Sequence, residues 1–138
     1  MESEQFEDLQ EVKSIFGITI KPDILISKIN IDNYDAIVFV GGGGAKEYFN
    51  DSIAHKIVKE SIAKGKVLAA ICIAPNILAN AGVLKDKKPT CFYPKNIIEK
   101  GAIYSGKTVE QDGKIITAED PHVAQDFAKA IIAAVNTE

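Results

Sequence analysis

The chain has 138 residues, of which 46% are hydrophobic and 25% charged, and its formal net charge is −3. This length predicts one domain with a substantial core, and the mild acidity gives no reason to expect a nucleic-acid partner. No apolar run approaches the roughly 20 residues of a membrane span, and no signal peptide opens the chain, so we expect no membrane association. Two cysteines are too few for a disulfide framework, which favours a reducing, cytoplasmic location.

The first half of the chain alternates strand-like and helix-like hydrophobic patterns. Asp35–Val40 is a continuous apolar run rich in β-branched residues and predicts a buried parallel strand, which Gly41–Gly44 ends. Asp51 or Ser52 is expected to cap a helix that runs through Lys64. The strand and helix signals that follow fall at residues 66–71 and about 74–81.

The second half continues the alternation. Thr90–Tyr93 predicts a short strand and Pro94–Lys100 a short helix. Residues 103–110 and 114–118 predict two strands around an Asp112-Gly113 turn, which is a strong hairpin signal. Asp120 is expected to cap the last helix, with Pro121 in its first turn. The first 25 residues are less clear, with one or two short extended segments expected between residues 12 and 26.

Strands that alternate with helices predict an α/β fold with a mainly parallel sheet covered on both sides. We see no repeat and no interdomain linker, so the prediction is one domain over residues 1–138. His55 and His122 are far apart in the sequence, and no Cys-x-x-Cys or His-x-x-x-His spacing occurs. The sequence therefore predicts no metal site and no cofactor.

The run from Lys66 to Pro75 ends a strand pattern on Cys72 and starts a helix directly after it. A cysteine at such a turn lies at the mouth of a parallel sheet and at the positive end of a helix, which favours the reactive thiolate. The alternative is a small buried hydrophobe at the end of a core strand, because free Cys is among the most buried residue types. The local pattern leaves both interpretations open.

The glycine run points to the same end of the sheet. Backbone N–H groups of Gly42, Gly43 and Gly44 can approach a substrate oxygen closely, because glycine has no side chain. Together with the Ile73 amide they would form an oxyanion hole for a carbonyl bound to Cys72. The alternative is a tight strand-to-helix connection without a binding role.

Three segments carry a family resemblance. Residues 34–44, residues 65–75 and residues 79–84 are similar to the ThiJ/PfpI superfamily, as is the 112–118 tail. The resemblance implies a flavodoxin-like three-layer sandwich of the class I glutamine amidotransferase type, with Cys72 as the nucleophile of an elbow. It also implies a homodimer or higher homo-oligomer, and a chain that lacks the family's usual opening strand, helix and strand.

The resemblance also assigns roles to residues near the nucleophile. The protease branch has a histidine directly after its cysteine, where this chain has Ile73, so a Cys-His protease mechanism is not expected. Tyr93 takes the place where several members have a histidine, and it is predicted to share one sheet face with Cys91. Glu7 is the candidate for the family glutamate that hydrogen-bonds the cysteine.

The leading functional hypothesis is a hydrolase of the deglycase or glyoxalase type. It would act through Cys72 on small carbonyl compounds or glycated groups. The alternatives are a non-catalytic redox sensor or chaperone with an oxidisable Cys72, an inactive paralogue that acts only by association, and an intracellular protease-like protein without a complete Cys-His triad.

Overall fold

The structure, a computed structural model, describes residues 12–13 and 19–137. The chain forms two compact units, residues 1–30 and residues 31–138. In the first unit, Val12–Lys13 (β1) and Thr19–Ile20 (β2) pair antiparallel. The extended segments expected in this part of the sequence are therefore confirmed. A single domain over the whole chain stays a prediction.

The second unit is built on a four-stranded sheet in the order β3-β4-β6-β5. Its strands are Ala36–Phe39 (β3), Val67–Ile71 (β4), Val109–Asp112 (β5) and Ile115–Ala118 (β6). β3 and β6 both run parallel to the central β4, and only β5 is antiparallel to its neighbour. The prediction of a mainly parallel sheet is confirmed.

The core lies on both faces of β4, whose five residues are each at most 7% exposed. Its odd-numbered residues pack with β6 against Phe127 and Ala134 of helix α4 (Ala124–Asn136). Because side chains alternate along a strand, Leu68 and Ala70 lie on the opposite face. Two helices, α1 (Ser52–Ala63) and α2 (Pro75–Asn80), cover that face, and α3 (Lys95–Glu99) packs on α2. The unit is therefore a three-layer α/β sandwich.

Two helical segments begin at the capping residues that the sequence predicts. The Asp51 carboxylate accepts a hydrogen bond from the Ala54 amide at 2.8 Å, directly before α1. Asp120 accepts from the His122 amide at 2.8 Å and starts a 3-10 turn over Pro121–Val123, which leads into α4. Each side chain satisfies an amide that the first helical turn leaves without an intrahelical partner. None of the helices in the described part of the chain is long and apolar enough to cross a bilayer.

The predicted strand over Thr90–Tyr93 is wrong. The Phe92 amide donates to the Cys72 carbonyl at 2.9 Å, but Tyr93 then turns into the left-handed region with φ +59°. That turn ends the extended segment before a ladder forms and directs the chain into α3. Cys91 and Tyr93 consequently do not share a face, since Cys91 is 1% exposed and Tyr93 is 72% exposed.

Two other strand predictions need correction. The strand predicted over residues 103–110 begins only at Val109, although its hairpin with β6 forms as expected. β3 is parallel but not fully buried, since Val38 is 41% and Val40 71% exposed. Val38 pairs with Ala69 and so lies on the α4 side of the sheet. Helix α4 packs against β4, β5 and β6, so Val38 stays exposed, whereas Ala36 on the same side of β3 is partly buried against the core.

Candidate functional site

The centre of the candidate site is a sharp turn at Cys72, directly after β4. Cys72 has φ +65°, a left-handed conformation that a residue with a side chain rarely adopts. Its amide donates to the Ala118 carbonyl and its carbonyl accepts from the Phe92 amide, both at 2.9 Å. The backbone is thus held from two sides, while the side chain is partly exposed. The elbow predicted from the sequence is present.

Gly41 lies directly against this turn. A Cβ atom built on Gly41 would be 2.6 Å from the Cys72 Cβ, 2.8 Å from the Ile71 carbonyl oxygen and 3.3 Å from the Cys72 Sγ. No real side chain tolerates the first two distances. The end of β3 and the end of β4 therefore approach each other so closely that only glycine fits between them.

The other predicted glycines do not pack against Cys72. Gly42, Gly43 and Gly44 are exposed, and within the described part of the chain no atom outside the local backbone lies within 4 Å of a Cβ built on any of them. Gly43 opens a 3-10 helix that runs to Tyr48, whose first amides have no intrahelical acceptor. The Ile73 amide likewise has no hydrogen-bond partner among residues 12–13 and 19–137. These are amide groups that a bound oxyanion could use.

Cys91 is the second thiol of the site, but its surroundings are opposite in character. Its thiol lies within hydrogen-bond distance of two carbonyl oxygens, Phe92 at 3.2 Å and Cys72 at 3.4 Å, and accepts from the Asn76 amide nitrogen at 3.7 Å. Burial raises the pKa of Cys91 to about 12, and the neighbouring Cys72 adds to this increase. Cys91 is therefore a neutral thiol in the core at physiological pH, and it contacts the backbone of the elbow.

A chain of asparagine side chains holds the wall beside the elbow. Asn76 is only 4% exposed, and its amide nitrogen donates to the Ile73 carbonyl at 2.9 Å. Asn96 donates to the side-chain oxygens of both Asn76 and Asn80 at 3.0 Å, and Asn80 donates to the Phe49 carbonyl at 3.1 Å. The network joins α2, α3 and the loop before α1. The sequence interpretation overlooked it, although Asn76 and Asn80 are spaced i, i+4 on a predicted helix.

A cleft of about 430 Å³ opens next to the elbow. We call it the elbow cleft, and its uncharged lining consists of Phe49, Ile73, Asn76, Tyr93 and Asn96. The Tyr93 ring contacts the Phe92 ring, with centroids 4.2 Å apart and the two planes tilted by 48°. Ile73 and Tyr93 thus line one cleft, and Cys72 directly precedes Ile73 at the elbow.

The remaining candidates lie elsewhere. Glu7 falls outside the described residues. His55 bonds to the Phe49 carbonyl at 2.8 Å, and His122 pairs with Asp120 at 3.2 Å, so neither histidine bonds to Cys72. Among residues 12–13 and 19–137, no group of three or more His, Cys, Asp or Glu side chains is arranged to hold a metal ion.

Comparisons with known proteins show the family to which the chain is similar. Residues 4–134 match the model of the DJ-1/PfpI family. An uncharacterized protein of Methanocaldococcus jannaschii is 41% identical over 130 residues, which are 91% of this chain and 63% of that protein. The deglycase PfpI of Pyrococcus furiosus is 31% identical, covering 76% of this chain and 64% of its own length. The glutathione-independent glyoxalase DJR-1.2 of Caenorhabditis elegans is 26% identical over 89% of this chain and 67% of that protein.

Solved structures support the fold in the same way. The ThiJ/PfpI domain protein of Brachyspira murdochii superimposes with a TM-score of 0.91 at 27% identity, covering 94% of this chain and 76% of that one. The flavodoxin-like α/β architecture expected from the sequence is thereby confirmed. The chain spans just under two thirds of the length of the archaeal relatives described above.

Replacing Gly41 with alanine should disturb the elbow, because a methyl group there collides with the Cys72 Cβ and the Ile71 carbonyl. We expect Gly41→Ala to lower the free energy of unfolding by about 1–3 kcal/mol in urea titrations and to change the rate of Cys72 alkylation. Gly43→Ala is the matched control, since nothing lies near the added methyl group. Equal behaviour of the two variants would contradict the close approach at Gly41.

The buried Cys91 thiol should make stability depend on alkaline pH. The unfolded thiol ionises near 9, whereas burial raises the pKa of Cys91 in the folded chain to about 12. Between these values the unfolded chain loses a proton that the folded chain keeps. Stability from this group is therefore complete below about pH 9 and declines above it, by at most about 1.4 kcal/mol per pH unit.

The measurement is urea unfolding of the natural protein and of Cys91→Ser between pH 8 and pH 10.5. The serine hydroxyl does not titrate in this range, so the variant should lose stability less steeply as the pH rises. Other titrating groups contribute equally to both curves and cancel in the difference. Parallel curves would show that Cys91 is not held as a neutral thiol.

Proposed function

The chain belongs to the DJ-1/PfpI family, and from this premise we propose that it acts on small carbonyl compounds or glycated groups through a covalent intermediate on Cys72. The observation that carries the proposal is the Cys72 elbow, where a partly exposed thiol stands on a strained backbone and the next residue, Ile73, lines the elbow cleft. Backbone strain persists at functional sites when the surroundings hold it in place. The names of the deglycase and glyoxalase relatives point to the same substrate class.

The proposed chemistry on a 2-oxoaldehyde needs no external oxidant. The Cys72 thiolate attacks the aldehyde carbon, a C–S bond forms, and the electron pair of the C=O bond moves to oxygen, which takes up a proton. The hydrogen on that carbon then shifts to the neighbouring carbonyl carbon, so one carbon is oxidised to a thioester while the other is reduced. Water cleaves the C–S bond, releasing a 2-hydroxy acid and the free thiol.

Named groups support particular steps of this sequence. The Ile73 amide and the amides of Gly42, Gly43 and Gly44 would stabilise the oxyanion that forms on attack. The Tyr93 hydroxyl would donate a hydrogen bond to the substrate from the opposite side of the cleft. The hydrogen shift needs a base, and Glu7, assigned by the family resemblance, is the proposed residue.

Peptide-bond hydrolysis receives little support from this arrangement. Amide cleavage needs a base for the nucleophile and an acid for the leaving amine. Both histidines make their hydrogen bonds away from Cys72. We therefore propose carbonyl chemistry rather than proteolysis.

The direct test follows methylglyoxal loss and 2-hydroxy acid formation with purified protein. We expect Cys72→Ser to lower the rate by about 100-fold or more, because the alkoxide nucleophile is much less accessible at neutral pH. Cys91→Ser keeps a donor for the Cys72 carbonyl and should retain most of the activity. Casein should not be degraded above the Cys72→Ser level.

Failure of this test would favour the redox-sensor alternative, and a second measurement decides it. Mild peroxide treatment followed by intact mass should then show two added oxygens that disappear in Cys72→Ser. Turnover that survives the loss of Cys72 would contradict the proposed nucleophile outright.

A homodimer or higher homo-oligomer, expected from the family resemblance, stays a prediction. Light scattering of the natural protein at micromolar concentration should give a mass at least twice the 14.9 kDa of one chain. A monomer at that concentration would contradict it.

A further inference from the structure

The elbow cleft carries an unbalanced charge. Besides its uncharged lining it is bordered by Lys46, Lys95 and Glu99, all of which are exposed. None of the three takes part in an ion pair among the described residues. Two ammonium groups therefore face the cleft against one carboxylate, although the whole chain carries a net charge of −3. The local excess of positive charge is not a reflection of the protein's general charge.

The two lysines reach the cleft from separate parts of the fold. Lys46 lies in the 3-10 helix that follows the glycine run, and Lys95 begins α3 directly after the Tyr93 turn. The Asn96 and Asn80 hydrogen bonds join α3 to α2, and Asn80 in turn bonds to the Phe49 carbonyl at the end of the loop that carries Lys46. Lys46 and Lys95 are thus held on the rim of one cleft that also contains Ile73, the residue after the nucleophile.

We propose that Lys46 and Lys95 select substrates that carry a carboxylate or another anionic group beside the reacting carbon. They would be specificity-determining residues for chemistry at Cys72. A lysine ammonium is a mobile point charge with three donors, so it suits a small anion without fixing one binding geometry. The uncharged lining would contact the short carbon chain of a 2-oxo acid or a similar molecule. This inference rests on the proposed function, because it assumes that Cys72 is the reacting group.

The test compares the alkylation of Cys72 by iodoacetate and by iodoacetamide. In both reactions the thiolate forms a C–S bond and iodide leaves, and the two reagents differ only in that one bears a carboxylate. The rate ratio, measured by peptide mass spectrometry, therefore reports charge selection and not thiol reactivity. The reference is the same ratio for Cys72 in the urea-unfolded chain.

We expect the native ratio of iodoacetate to iodoacetamide to exceed the reference by roughly three- to tenfold at low ionic strength. Lys46→Gln and Lys95→Gln should each lower it by about threefold, and Glu99→Gln should raise it by about twofold. Lys129→Gln is the matched control, because Lys129 is exposed on α4, on the other side of the sheet. Salt near 1 M, where the screening length is about 3 Å, should bring the native ratio close to the reference.

A native ratio equal to the reference would overturn the proposal. So would a ratio that Lys46→Gln and Lys95→Gln leave unchanged, or one that Lys129→Gln lowers equally. A variant that lowers the alkylation rates of both reagents by the same factor has altered the reactivity of the Cys72 thiol and not the preference for the charged reagent. If the alkylation ratio shows charge selection but neither methylglyoxal nor glyoxylate is turned over, the proposed function alone is rejected. If both compounds are turned over with equal efficiency and the alkylation ratio shows no charge selection, this inference alone is rejected.

Discussion

The left-handed backbone at Cys72 is the constraint on which the rest of the site depends. Such a conformation costs about 1–3 kcal/mol for a residue with a side chain, so the surroundings must hold it. Hydrogen bonds to Ala118 and from Phe92 fix the peptide groups on either side, and the absence of a side chain at Gly41 leaves room for the turn. The three partners come from β6, the segment before α3 and the end of β3. The Cys72 backbone is therefore positioned by the sheet as a whole and not by its own loop.

Cys72 and Cys91 are close to each other but differ in burial. Cys72 and Cys91 are joined through the Cys72 carbonyl, yet one side chain reaches the surface while the other is 1% exposed. Desolvation penalises a thiolate at Cys91, which keeps that residue neutral and unreactive. The neutral Cys91 thiol can hydrogen-bond to the Cys72 carbonyl and does not act as a second nucleophile. Under our proposal, Cys72 is the reactive group and Cys91 supports its backbone.

The elbow cleft depends on polar contacts that no single element supplies. The asparagine chain joins α3 to α2 and α2 to the loop after β3. The charged lining residues Lys46, Lys95 and Glu99 lie on the loop and on α3. Since buried amides are costly when unpaired, the network favours one arrangement of these segments. The exposed lysines can therefore change without disturbing the turn at Cys72, so under our proposal substrate selection and thiol reactivity can vary separately.

The sequence by itself determined the features that arise from short stretches of chain. The apolar run and helix start around Cys72, the capping residues Asp51 and Asp120, and the hairpin turn before β6 all act within a few residues, so their patterns could be interpreted directly. The tertiary structure decided what depends on segments far apart in the chain. It placed Gly41 against Cys72, left Val38 open because α4 covers the other strands, and separated Cys91 from Tyr93 by a left-handed turn. It also brought Lys46 and Lys95 to one cleft. No local pattern encodes such distances, because they follow from how the layers pack.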